Sequence, residues 1–224
     1  MSTFRIFIAD DHEVVRKGLC ALLQAEPGWE VCGEASDGRT ATERVRELKP
    51  DVIILDIGMP ALNGLEATRQ IIKDDPRARV LILTLHDSDQ VVREVLNAGA
   101  RGFLLKSDAA RDLVVAVEAL RREKTYFTSK VAAMVLEGYL KGGTHSVAIS
   151  VGRDRLTPRE REVVQLLAEG KSTKEVAVAL GLSVKTAETH RSNIMRKLQL
   201  HSVSDLVMYA VRNNIVHVIQ PTLE

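Results

Sequence analysis

Over residues 1–124, short apolar runs alternate with stretches whose apolar residues recur every three or four positions, a pattern that predicts strands and helices in turn. Strands are read at 5–9, 30–34, 52–55, 80–83 and 102–105. The helices between them carry Val15, Leu19 and Leu22; Ala41, Val45 and Leu48; Ala67 and Ile71; Val91 and Val95; and Leu113, Ala116, Val117 and Leu120. The runs VIIL and LIL show no polar alternation, as expected of strands covered on both faces. The expected fold is α/β: a doubly wound, five-stranded parallel sheet with helices on both sides.

A further amphipathic stretch at 129–140 runs into GGTHSVAISVGRD, where glycines and small residues without helical period predict a flexible connection. From Leu156 onward the pattern is wholly helical. Thr157, Pro158 and Glu160 supply an N-cap, a proline at the first helical position and the reciprocal glutamate of a capping box, and Gly170 closes that helix. Ser172 with Glu175 repeats the box, Gly181 ends the second helix, Ser183 caps a third, and Ser202 with Asp205 opens a fourth reaching about Asn213. A short helix, a glycine turn and a longer basic helix predict a helix-turn-helix within a small all-α four-helix domain. The chain is therefore divided into 1–124, a helix-and-linker segment at 125–155, and 156–224.

Charge adds a distinction between the halves. Residues 1–124 carry 18 Lys and Arg against 21 Asp and Glu, whereas 125–224 carry 13 against 9, which suits an anionic partner for the second half. Cys20 and Cys32 belong to no metal-binding or redox motif and are read as buried thiols. No run approaches the length of a membrane span and the start lacks a signal-peptide pattern, so a cytoplasmic protein without a membrane partner is expected.

The candidate chemistry lies where strands stop. Asp10 and Asp11 follow the first predicted strand, Asp56 the third, Thr84 the fourth and Lys106 the fifth. Each alone is an ordinary polar residue at a strand end. In an open parallel sheet, however, the ligand crevice lies outside the carboxyl ends of the strands, so these residues converge. Three carboxylates call for a hard divalent cation, and an ammonium with a hydroxyl suits phosphoryl oxygens.

With these pieces in order, and with the segment DIGMPALNG beginning at Asp56, residues 1 to about 122 resemble the flavodoxin-like receiver domain of a two-component response regulator. The resemblance implies that Asp56 is the phosphoacceptor, supplied by a sensor histidine kinase. It also implies Mg²⁺ held by Asp11, Asp56 and the Gly58 backbone carbonyl, with Asp10 acting directly or through water. Lys106 and Thr84 would contact the phosphoryl group, and Thr84 with Phe103 would form the switch pair. Ser107 stands where many receivers have a cis-proline, and Gly58 and His86 flank the path of attacking water, so a distinctive phosphorylation lifetime is expected. An aspartyl phosphohydrolase would need a lidded substrate pocket for which this half is too short; an enzyme is not expected beyond the domain's own phosphoryl transfer and dephosphorylation.

The segment LTPREREVVQLLAEGKSTKEVAVALGLSVKTAETHRSNIMRKL resembles the LuxR-type DNA-binding domain of the NarL/FixJ family, with Ala187 where a larger aliphatic is usual. On the third helix Val184, Ala187, Ile194 and Leu198 are expected in the core. Lys185, Glu188, Thr189 and Ser192 are then candidates for base edges, and Lys171, Lys174, Thr186, Arg191 and Lys197 for phosphates. The whole chain is read as a DNA-binding regulator whose phosphorylation favours a homodimer on double-stranded DNA, with RNA polymerase a candidate partner at promoters.

Overall fold

The computed structural model describes residues 3–85, 88–127, 131 and 156–216. The chain divides into two compact units, Met1–Ser150 and Val151–Glu224. The stretch 129–140, the connection after it and His86 lie outside the described residues, apart from the single position Val131.

In the first unit the elements run β1 (Phe4–Ala9), α1 (Glu13–Gln24), β2 (Trp29–Ala35), α2 (Gly38–Leu48), β3 (Val52–Asp56), α3 (Gly64–Asp74), β4 (Val80–Thr84), α4 (Asp89–Asn97), β5 (Gly102–Leu105), a single 3₁₀ turn at Lys106–Asp108, and α5 (Ala109–Arg121). The parallel sheet has the order β2-β1-β3-β4-β5, so the connections reverse direction between β1 and β3. A crevice at that switch point is the ligand position of such folds.

The two faces are covered separately. Ile6, Ile8, Ile54, Leu81, Leu83 and Leu104 pack beneath α1 and α5, while Phe7, Ile53, Leu55, Ile82 and Phe103 pack beneath α2, α3 and α4. Both β3 and β4 are buried along their whole length, which is why their sequences lack alternation. Leu22, expected in the core, is 37% exposed. The inward row of α1 is Leu19, Cys20 and Leu23, because the i, i+1, i+4 positions form the stripe against the sheet and Leu22 lies outside it. Cys20 is buried, whereas Cys32 is only half-buried on its edge strand; both are free thiols. The sheet also gains backbone past the expected boundary at 124: Tyr126 accepts from Phe103 N–H at 2.9 Å, and Phe127 packs on the core.

The second unit contains α6 (Pro158–Ala168), α7 (Thr173–Ala179), α8 (Val184–Leu198) and α9 (Val203–Arg212). All three capping boxes close both ways, at Thr157/Glu160, Ser172/Glu175 and Ser202/Asp205. Gly170 and Gly181 end their helices at φ 87° and 62°, a left-handed conformation that a Cβ disfavours. Val163, Leu167, Val176, Ile194, Leu206 and Ala210 form the core. Val184 does not join it: at 40% exposure it is the first helical residue of α8, and the first turn stands away from the core, which Ala187 and Ile194 reach.

Candidate functional site

Strand register brings the predicted pocket together. Ala9 pairs with Leu55, so Asp10 emerges beside Asp56; Asp56 pairs with Leu83, and Thr84 with Leu105. Asp10, Asp56, Thr84 and Lys106 thus leave four adjacent strands at one level. Asp10 and Thr84 are buried, and Asp56 is 5% exposed.

Lys106 is the hub. Its Nζ lies 2.8 Å from Asp10 Oδ2 and 3.0 Å from Asp56 Oδ2. The contact with Asp10 Oδ2 is an ion pair lacking hydrogen-bond alignment, so that oxygen is buried without a directed donor. Burial raises the Asp56 pKa, with Asp10 and Asp11 adding to the rise and Lys106 opposing it. Burial alone would lower the Lys106 pKa, but Asp56 and Asp10 outweigh it and hold the ammonium charged. The residue after Lys106 begins no cis turn: among the described residues every peptide bond is trans, and Ser107 lies in the 3₁₀ turn.

Ligand atoms of Asp10, Asp11, His12 and Asp56 all lie within 4.8 Å of one another. Three carboxylates around one point, two of them sharing a single ammonium, leave excess negative charge that fits a hard divalent cation. Gly58 is half-buried in the loop after β3.

Several residues that build this site were not singled out by sequence reasoning. Gly64 is one: a Cβ there would stand 1.9 Å from the Asp56 carbonyl oxygen, and its N–H donates to Ile57 O at 3.0 Å, closing the loop behind the carboxylate. Ala61 holds φ 63° in the same loop, a left-handed conformation costing a non-glycine residue about 1 kcal/mol. Arg16 donates from Nη1 to Asp10 O at 2.7 Å and from Nε to Glu34 at 3.1 Å, bracing the β1–α1 loop against β2. His12 donates its backbone N–H to Asp10 Oδ1 at 2.9 Å, and its Nδ1 is 2.7 Å from Asp11 Oδ1. Gly64, closing the segment that begins at Asp56, and the histidine beside the acidic pair were visible signals; Arg16 left none, because its partners come from two other elements. Phe103 is buried on the face covered by α2, α3 and α4.

In the second unit Lys171, Lys174, Lys185, Thr186, Glu188, Thr189, Arg191, Ser192 and Lys197 are all exposed. No ion pair links Lys185 to Glu188 among the described residues. The Thr189 hydroxyl donates to Lys185 O at 2.9 Å, and Arg191 reaches Thr173 Oγ1 at 3.3 Å. Lys197 differs from the other cations: its Nζ lies 2.7 Å from Glu160 Oε2. Burial works against the Glu160 charge, yet Lys197 and the Thr157 donors hold its pKa below the ordinary range.

Two folds in one chain, one with an acidic phosphoryl-type pocket and one with a helix-turn-helix, define a transcriptional regulator of the response-regulator class. The chain matches the response regulator receiver domain over residues 6–118 and the bacterial regulatory proteins of the luxR family over residues 154–210. It belongs to the two-component response regulators of the NarL/FixJ, LuxR-type family. It is 38% identical over 213 residues to the transcriptional regulatory protein LiaR of Bacillus subtilis (strain 168), covering 95% of this chain and 99% of the relative. A solved complex of the two-component response regulator RcsB with DNA is 28% identical with a TM-score of 0.57, covering 95% of this chain and 99% of that one. A structure of two RcsB dimers bound to two parallel DNAs is 26% identical with a TM-score of 0.56, at the same coverage. Among the described residues no helix is long and apolar enough to cross a membrane.

Proposed function

We propose that this regulator is switched by phosphorylation of Asp56 and that the switch sets its grip on promoter DNA. The observation that carries the reading is Lys106 placed between Asp56 and Asp10, at 3.0 and 2.8 Å, with Thr84 buried at the end of the next strand. An Asp56 carboxylate oxygen attacks the phosphorus of a kinase phosphohistidine; the P–N bond breaks and the imidazole departs with its electron pair. Lys106 and Thr84 receive the phosphoryl oxygens, positioning and neutralising rather than exchanging protons. Asp11, Asp56, the Gly58 carbonyl and Asp10 would hold Mg²⁺, which supplies charge neutralisation when bound. Thr84 and Phe103 form the switch pair.

In the second domain Lys185, Glu188, Thr189 and Ser192 read bases: lysine suits guanine, glutamate suits the cytosine amino group, and Thr189, its hydroxyl occupied, offers a methyl to thymine. Lys171, Lys174, Thr186 and Arg191 contact phosphate. Lys197, expected among them, is instead assigned to the Glu160 ion pair. The connection between domains lies within 125–155. Phosphorylation favours a homodimer on paired half-sites, a reading supported by the RcsB dimers on DNA. The protein works in the cytoplasm with a histidine kinase, and with RNA polymerase at promoters.

Acetyl phosphate with Mg²⁺ tests this. Wild type is expected to gain one phosphoryl adduct by intact mass and to bind operator DNA roughly tenfold tighter, with neither change in Asp56→Asn. An adduct that leaves DNA affinity unchanged, or no adduct under donor excess, overturns the reading.

A further inference from the structure

Three carboxylates drawn to one point must each be held there before any ion arrives, and the three are held differently. Asp56 has Lys106 at 3.0 Å. Asp10 has Lys106 and the His12 backbone N–H. Asp11 is less buried than either, with its side chain 23% exposed, and among the described residues its hydrogen-bond partner is the imidazole of His12 at 2.7 Å. Without that partner, repulsion from two neighbouring carboxylates and the pull of water both favour a rotamer turned out of the pocket.

His12 is placed for this and for little else. It occupies the N-cap of α1, yet its side chain caps nothing; the ring folds back toward the loop, 2.7 Å from Asp11 Oδ1 and 3.5 Å from Asp10 Oδ1. At 55% side-chain exposure it contributes little to the core. Ligating carboxylates that are hydrogen-bonded from behind bind metal more tightly, because the ligand is oriented in advance.

We propose that His12 is a positioning residue for the metal ligand Asp11, its Nδ1–H holding that carboxylate turned toward Asp10 and Asp56. The role rests on the reading of the pocket as a Mg²⁺ site, and it acts through Asp11 alone. The imidazole takes the tautomer with its hydrogen on Nδ1, and no change of charge is needed.

Calorimetric titration of the full chain with Mg²⁺ tests it, alongside thermal unfolding in EDTA. His12→Ala is expected to weaken Mg²⁺ binding about tenfold with unchanged unfolding in EDTA. His12→Asn, which keeps a side-chain N–H donor at similar reach, is expected to recover most of the loss. In an Asp11→Ala background, where neither the ligand nor the acceptor remains, His12→Ala should have no further effect on the remaining affinity. Wild-type affinity in His12→Ala, or no recovery in His12→Asn, overturns the positioning role while leaving the pocket reading intact. A wild-type protein that binds no Mg²⁺ overturns both.

Discussion

Asp56 combines burial with like-charged neighbours, and its raised pKa is the thermodynamic record of that conflict. A carboxyl that holds its proton more tightly in the folded chain than in the unfolded one destabilises the fold once ionised. The penalty is present above the folded pKa and fades as pH falls through it. Asp56→Asn is therefore expected to raise the stability of the metal-free protein at neutral pH by about 1 kcal/mol, a usual size for relieving a buried charge. That corresponds to roughly 4 °C in the Tm of a domain of this size. The two proteins should converge as pH falls, and added Mg²⁺ should narrow the gap by stabilising the wild type; unfolding in EDTA and in Mg²⁺ across pH checks both. Lys106 works in the opposite sense. Its raised pKa contributes stability that is complete below the unfolded value and is lost as pH rises through the folded one. The identities of Asp10, Asp11, Asp56, Thr84 and Lys106 were legible because each ends an apolar run. The bracing by Arg16 was not, since a hydrogen bond across elements leaves no periodic trace.

Cations of the second domain have two kinds of surroundings, and sequence spacing treats them alike. Arg191 and Lys171 are exposed beside the N-terminus of α7, whereas Lys197 closes an ion pair with Glu160 in the capping box of α6. Lys171→Ala is expected to weaken binding evenly across DNA sequences and to reduce the slope of log affinity against log salt by about one. Lys197→Met should leave that slope unchanged and lower the thermal stability of the second domain; binding measured across salt concentrations, together with thermal unfolding, separates the two. A changed slope in Lys197→Met would return that lysine to the phosphate contacts. Periodicity erred at Val184 and Leu22. A three-to-four repeat marks a stripe but not its limits, and a residue in the first turn or one step off the stripe meets solvent.

Coupling between the two domains is reciprocal if phosphorylation tightens DNA binding. Operator DNA must then raise the affinity of Asp56's pocket for a reversible phosphoryl mimic by the same factor. Beryllofluoride titrated with and without operator DNA should give apparent affinities differing by the factor seen in DNA binding, roughly tenfold, and equal affinities would deny the coupling. Fold class, strand count, helix punctuation and the division into an acidic and a basic half are properties of local order: burial on both faces, helical spacing and capping chemistry are written in neighbouring residues. Which carboxylates share Lys106 and which glutamate meets Lys197 depend on register between strands and on packing between helices. Those relations join residues 37 or more positions apart, as Glu160 and Lys197 are, with Asp10, Asp56 and Lys106 farther still, and only the folded chain sets their distances.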